Sequence, residues 1–169
     1  MSGQPDFDAV ADALGDRLNY IRQPNLGGAG GFTRGLYEAR RAGRVSRIVL
    51  MDDDIICEPE SVLRLIAFSV ATQEPTLVGA QMLRSMRPEF IHHGGEAIDL
   101  AAVKAGRWAP NSRHGVSMVK KRQDKRVDVD YNAWWTCLVP VETVDAIGLP
   151  LPVFFQWDDI EFGIRARDR

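Results

Sequence analysis

The stretch Ile48-Val49-Leu50-Met51-Asp52-Asp53-Asp54 decides the fold, because it joins a short apolar run to three consecutive carboxylates. A short apolar run bounded by polar sequence predicts a buried strand. Open α/β sheets bind their ligands beyond the carboxyl ends of the strands, which is where these acids stand. Because side chains alternate along a strand, we expect Asp52 and Asp54 on one side and Asp53 on the other.

The acidic triplet predicts a cation site. Adjacent carboxylates repel one another and resist burial unless a cation neutralises them. Hard oxygen ligands suit Mg²⁺ or Mn²⁺, which share their coordination shell with waters and phosphates. Asp52 and Asp54 are therefore candidate metal ligands, although a solvated acidic turn explains the triplet equally well when it is taken alone.

Length and composition describe an ordinary soluble domain of 169 residues, with 45% hydrophobic and 26% charged residues. A net charge of −2 provides no general attraction to nucleic acid. The sequence contains neither an apolar stretch of membrane-spanning length nor a signal peptide. Cys57 and Cys137 lack metal-ligand spacing and agree with a reducing compartment. We therefore expect a cytoplasmic protein.

The first half of the chain alternates predicted strands and helices. Strands are predicted at 18–22, 48–51 and 77–80, helices at 31–42 and from Pro59 onward, and a glycine-rich turn at 23–31. This β-α-β-α-β order with short connections predicts an α/β fold, with a mostly parallel sheet flanked by helices.

The second half has a weaker pattern. Residues 82–126 show no clear periodicity, and 104–126 hold eight Lys or Arg residues with Asp124 as the only acid. Such a loop is either a flexible flap over an anionic substrate or a solvated basic loop. A strand at 134–139, a helix at 141–147 and a helix that begins near Asp158 follow, so this half is predicted to be mixed α+β.

The glycine-rich segment Gly27–Gly31 is ambiguous. It precedes a helix but has neither the Lys-Ser/Thr of a P-loop nor the spacing G-x-G-x-x-G. Its glycines serve either close packing of the loop on the sheet or the approach of a nucleotide. In the second case Asn25 and the bare backbone contact the nucleotide, with its phosphates near the helix N-terminus.

The run Trp157-Asp158-Asp159 carries the second acidic cluster. Acids in the first turn of a helix are favoured by the helix dipole, which explains one of them without any function. The functional interpretation makes Asp159 a general base that deprotonates an acceptor hydroxyl, and gives Asp158 an orienting or acceptor-binding role.

Adjacent Trp134 and Trp135 suggest a sugar-binding surface, because indole rings stack on the apolar faces of sugars. Neighbours on a strand point to opposite faces, so one ring is expected in the core and the other outside it. Structural roles are expected for His92, His93 and His114.

Four runs together resemble the family-2 nucleotide-sugar glycosyltransferases with the GT-A fold. More narrowly, the chain is similar to their galactofuranosyltransferase branch, which builds the galactan of mycobacterial and corynebacterial cell walls. The matching runs, which span nearly the whole chain in order, are 25–32 (NLGGAGGF), 51–54 (MDDD), 127–137 (VDVDYNAWWTC) and 156–159 (QWDD).

The resemblance implies a role for each matched position. Mn²⁺ or Mg²⁺ would be bound by Asp52 and Asp54, and Asp159 would be the catalytic base. The remaining roles are nucleotide-sugar binding by Asn25, Gly28, Asp52, Asp53 and Trp134, and acceptor binding by Glu96, Trp134, Trp135 and Asp158.

The resemblance also implies a reaction. It is metal-dependent, inverting transfer of galactofuranose from UDP-galactofuranose to a growing lipid-linked galactan. Residues 1–169 would be the central part of one GT-A catalytic domain, with 18–81 as the nucleotide- and metal-binding half and 82–169 as the acceptor-binding half. Peripheral contact with the inner face of the membrane would be made by parts outside this chain.

Three departures from the family pattern accompany these expectations. The family's first strand should precede residue 18, and a histidine that completes its metal site should lie beyond Arg169. We therefore expect a segment truncated at both ends and inactive alone. Gln156 stands where relatives carry Lys, which bears on donor specificity.

Other functions remain open from the sequence. The same carboxylates would serve a related family-2 transferase, such as a rhamnosyltransferase that uses a dTDP-sugar. A non-catalytic carbohydrate-binding module would use the Trp pair without a metal, and gives no reason for two acidic clusters. A phosphohydrolase would use 52–54 with a metal to cleave phosphate esters.

Overall fold

The computed structural model describes residues 6–109, 112–123 and 125–168, which form helices and small antiparallel sheets. The helices are α1 Phe7–Leu14, α2 Gly27–Ala42, α3 Pro59–Ala71, α4 Val141–Ile147 and α5 Asp158–Arg167. The strands are β1 Arg47–Met51, β2 Val78–Gly79, β3 Met82–Arg84, β4 Arg87–His93, β5 Glu96–Asp99, β6 Lys104–Trp108 and β7 Thr136–Pro140. Within these ranges no helix combines the length and the apolarity needed to cross a membrane.

The central sheet has the order β1-β7-β2, with β7 antiparallel to both neighbours. Since β1 and β2 both run against β7, they point in the same direction, but they are not hydrogen-bonded to each other. The predicted mostly parallel sheet is not confirmed, because every ladder in the described ranges is antiparallel. The cause is β7, which comes from the second half and lies between two strands that the β-α-β order predicts as neighbours.

Strand β7 is also the centre of the hydrophobic core. All five of its residues are buried. The residues that form the core cluster come from α2, β1, β7, α4, α5 and the turn before β7, and are Leu36, Leu50, Trp134, Cys137, Val139, Val144 and Phe162. Full burial of a large apolar side chain contributes about 1.5–3 kcal/mol, so this cluster holds both halves of the chain around one strand.

One predicted helix boundary and one predicted strand near the start of the chain were wrong. Helix α2 begins at Gly27 rather than Gly31, because Asn25 Oδ1 accepts the Gly27 N–H at 3.0 Å and so stabilises the first turn. Residues 18–22 belong to no ladder in the described part of the chain. The Tyr20 ring packs instead on Phe7 of α1, at 4.7 Å between centroids.

The region 82–108, predicted to lack regular structure, forms two hairpins, β3–β4 and β5–β6. Register shifts in both hairpins break the alternation of side chains, which is why the sequence pattern hid these strands. Residues 112–118 lie along β4, where the Ile91 N–H donates to the Val116 carbonyl at 2.9 Å. This part of the basic segment is therefore docked on a hairpin and is not a free flap. Asp124 lies outside the described residues.

Gly163 of α5 offers a sharp test of this packing. A Cβ on Gly163 would lie 2.5 Å from the Tyr131 Cβ and 2.9 Å from the Tyr131 Cα, so the helix could not keep its place. We expect Gly163→Ala to lower the free energy of unfolding by about 1–3 kcal/mol. Urea unfolding followed by circular dichroism measures this difference.

The matched control is Gly35→Ala on the exposed side of α2, where an added Cβ meets no atom within 4 Å. Because alanine favours a helix interior over glycine, this variant should gain about 0.5–1 kcal/mol. Equal effects of the two substitutions would contradict the described contact of α5 with Tyr131.

Candidate active site

The acidic triplet begins beside β7. The Asp52 N–H donates to the Trp135 carbonyl at 3.2 Å and extends the β1–β7 pairing one residue past the end of β1. Asp53 and Asp54 lie in a turn, so the expected alternation of the three side chains was wrong: the strand ends at Met51. Asp53 and Asp54 are exposed, whereas Asp52 is half-buried.

The pKa of Asp52 is raised, first by burial and then by the charges of Asp54, Asp53 and Asp158. Acids from both halves of the chain therefore act on one carboxyl group. Asp52 and Asp54 supply the oxygen donors that divalent cations prefer, and a cation would relieve their repulsion, so the residues fit such an ion. Within the described ranges no three acid, His or Cys side chains are grouped to hold a metal by themselves.

The start of α2 adjoins this acidic edge. A Cβ on Gly28 would lie 3.7 Å from Asp158 Oδ2, so glycine leaves a narrow opening between helix and carboxylate. Gly27 has φ +72° and touches the Phe154 carbonyl so closely that any Cβ would collide with it. The packing interpretation thus accounts for Gly27, while Gly28 faces the second acidic cluster. The side-chain oxygen of Asn25 is occupied by the Gly27 N–H.

The segment that enters α5 is strained. Phe154, Gln156 and Trp157 have φ of +66°, +61° and +70°, a region that residues with side chains rarely adopt. Residues other than glycine that adopt this left-handed backbone conformation cluster at functional sites, where the surrounding structure holds them in place. The sequence offered no signal for this feature, because no glycine or asparagine marks it.

This strained entry places a buried Asp158 and a half-buried Asp159 in the first turn of α5. Burial raises the pKa of Asp159 to about 6, against a hydrogen bond from the Ile160 N–H that lowers it. The charges of Asp158 and Glu96 raise it further. A carboxyl group with this pKa takes up and releases protons near neutral pH, as a general base must.

Glu96, at the start of β5, is electrostatically coupled to Asp159. It is buried, at 8% exposure, and its carboxylate accepts a hydrogen bond from the Tyr131 hydroxyl and pairs with His93 Nε2. The sequence predicted only a structural role for His93 and did not predict its contact with Glu96. It did not identify Tyr131 as a partner of Glu96 either. The only available signal was the three-residue spacing between His93 and Glu96.

One tryptophan lies in the core and the other outside it, as predicted, but both stand in the turn before β7 and not on the predicted strand. Trp134 is in the core, with ring centroids 5.2 Å from Phe32 and 5.8 Å from Phe162. Its indole N–H has no hydrogen-bond partner among the described residues. Trp135 lies outside the core, donates to the Ala80 carbonyl at 2.8 Å and has its ring 5.1 Å from His93.

The site therefore joins the end of β1, the start of α2, the start of β5 and the start of α5. Electrostatic coupling links Asp52 to Asp158, and Asp159 to Asp158 and Glu96. The Asp159 charge also contributes to raising the pKa of buried Cys137 to about 12, which places this carboxylate close to the middle of β7. One acidic region thus collects most of the residues that the sequence singled out.

Comparison with known proteins gives a consistent result. Residues 2–169 match the model of the family described as "Glycosyltransferase like family 2". The galactofuranosyltransferase GlfT2 of Mycobacterium tuberculosis is 40% identical over 176 residues, and that of Mycolicibacterium smegmatis is 42% identical over 175 residues. These alignments cover 97% and 96% of the chain but only 27% of each relative. Since the family model spans nearly all of the sequence, the chain belongs to glycosyltransferase-like family 2.

Proposed function

We propose that this chain carries the donor- and acceptor-binding centre of a metal-dependent, inverting galactofuranosyltransferase. The proposed reaction moves galactofuranose from UDP-galactofuranose to a growing, lipid-linked galactan. The observation that carries the proposal is Asp159, a half-buried acid whose pKa is raised to about 6 by burial and by the charges of Asp158 and Glu96. Its context is a chain 40–42% identical to two proteins named galactofuranosyltransferase.

The proposed arrangement divides one GT-A domain into two halves. Residues 18–81 would bind the nucleotide and metal, and 82–169 the acceptor. The mostly parallel sheet of this architecture would require strands beyond the three that the central sheet contains here. The protein would work on the cytoplasmic side, in peripheral contact with the inner face of the membrane, where a lipid-linked acceptor is found.

Asp52 and Asp54 are the proposed metal ligands. A bound Mn²⁺ or Mg²⁺ would supply Lewis-acid stabilisation of the negative charge on the departing diphosphate. The support is chemical: Asp52 is half-buried, and its pKa is raised by burial and then by the charges of Asp54, Asp53 and Asp158, which a cation would offset. On the nucleotide side, the proposed contacts are Asn25, Gly28 and Asp53, whereas buried Trp134 would support the nucleotide-sugar site from the core without touching the nucleotide.

Asp159 is the proposed base in a single displacement. The oxygen of an acceptor hydroxyl forms a bond to the anomeric carbon of the donor as the bond from that carbon to the UDP oxygen breaks. The hydroxyl proton passes to a carboxylate oxygen of Asp159, and UDP leaves with the electron pair. One displacement inverts the anomeric configuration. Glu96, Trp135 and Asp158, together with Trp134, are proposed to orient the acceptor.

Loss of the base is the first prediction for this reaction. A base contributes about 100-fold to 10,000-fold to the rate, so Asp159→Asn should lower kcat by that factor. In the protein without substitutions, kcat/KM should fall tenfold per pH unit below about pH 6, because Asp159 must be ionised to accept the proton. Transfer of radiolabelled galactofuranose to a synthetic galactan acceptor measures both.

The assay uses the chain itself and a chimera in which it replaces the matched segment of the Mycolicibacterium smegmatis relative. Asp12→Asn, an exposed acid on α1, is the matched control and should keep full activity. A folded chimera that transfers no galactofuranose contradicts the proposal. Transfer from a dTDP-sugar instead would establish the rhamnosyltransferase alternative.

The same carboxyl group should weaken the fold. Because its folded pKa of about 6 exceeds its ordinary value of 3.8, ionisation costs stability. The cost is absent below about pH 4, grows between pH 4 and pH 6 and is complete above pH 6. Asp159→Asn should therefore raise the free energy of unfolding at pH 7 by up to about 3 kcal/mol.

Urea unfolding at pH 4 and pH 7 tests this effect. The gain from Asp159→Asn should vanish at the lower pH, whereas Asp12→Asn should change stability little at either. A variant that is less stable than the parent protein at pH 7 would show that the carboxylate supports the fold and is not strained by burial.

A further inference from the structure

The Glu96 carboxylate is held from two sides. Its Oε2 accepts the hydrogen bond of the Tyr131 hydroxyl, and its Oε1 pairs with His93 Nε2. Because a carboxylate only accepts hydrogen bonds, both partners must donate, so the His93 hydrogen is on Nε2. The backbones of Glu96 and Tyr131 also pair directly, because the two residues form an isolated antiparallel bridge.

Tyr131 is fixed as a donor. The Gly106 N–H donates to its hydroxyl oxygen at 3.1 Å, which leaves the hydroxyl hydrogen for Glu96. Burial and the neighbouring Glu96 carboxylate raise the pKa of Tyr131 far above its ordinary value, so the phenol keeps its proton. Gly163 lies directly against Tyr131, so the tyrosine is packed on the helix whose first turn carries Asp159.

His93 is held by aromatic neighbours. Its ring centroid lies 4.6 Å from that of Trp108 and 5.1 Å from that of Trp135. The Trp135 indole is itself fixed by its hydrogen bond to the Ala80 carbonyl. The imidazole therefore has little freedom to turn away from Glu96. His92, the preceding residue on β4, is exposed, and its ring centroid lies 5.5 Å from that of His114 instead.

We propose that His93 and Tyr131 are positioning residues that hold the Glu96 carboxylate in one orientation beside Asp159. The proposal rests on the proposed transferase function and deepens it. The remaining lone pairs of Glu96 would accept a second hydroxyl of the acceptor sugar, so that the reacting hydroxyl faces Asp159. The ligand class is a glycan with neighbouring hydroxyl groups, and His93 and Tyr131 act on it only through Glu96.

A double-mutant cycle tests this role in the galactofuranose-transfer assay, with the chain and with the chimera. A hydrogen bond to a charged group is worth about tenfold or more in binding or rate. Tyr131→Phe and His93→Gln should each lower kcat/KM for the acceptor by about tenfold or more, with the donor KM unchanged. Combined with Glu96→Gln, neither should cause a further loss, because the group on which they act is already changed.

The matched control is His92→Gln, which should leave the acceptor kinetics unchanged. A merely structural role would give the same loss with Glu96 or with Gln at position 96, together with a parallel fall in Tm, and would overturn the proposal. An increase in donor KM would overturn it as well. If the unsubstituted protein transfers galactofuranose but the losses in the double variants are additive, only the positioning role is refuted. If the unsubstituted protein transfers none, the proposed function is refuted too.

Discussion

The pairing of β1 with β7 is the constraint on which the rest of the structure depends. Strand β7 is fully buried and takes the place beside β1 that a simple β-α-β order assigns to another strand. The hydrogen bond from Asp52 to Trp135 continues this pairing into the acidic region. One strand therefore supplies the centre of the core and joins residues that are more than eighty positions apart in the chain.

This pairing brings acids from both halves of the chain together, and the fold alone does not favour their ionised forms. The pKa of Asp52 and that of Asp159 are both raised, each by burial and by neighbouring carboxylates. Salt bridges do not relieve this strain, since the ion pairs among the described residues involve neither acid. Such an arrangement suits a site that gains its missing positive charge and its proton from ligands.

The sequence predicted the parts of this structure that local pattern controls. The apolar run before 52–54 and the proline that opens α3 follow from periodicity and caps. The central position of β7 could not be predicted, because strand order is decided by long-range packing. The hairpins at 82–108 were missed because their strands are short and irregular in register. The contacts of His93 and Tyr131 with Glu96 were missed because spacing does not reveal which side chains meet.

The most direct test of the central claim, that acids from both halves form one cation-dependent nucleotide site, is calorimetry of UDP binding with Mn²⁺ and with EDTA. The chain and the chimera should bind UDP only with the metal, and Asp52→Asn combined with Asp54→Asn should abolish binding, while Asp12→Asn should not. Binding of equal strength in EDTA, or binding that survives the double substitution, would contradict the account.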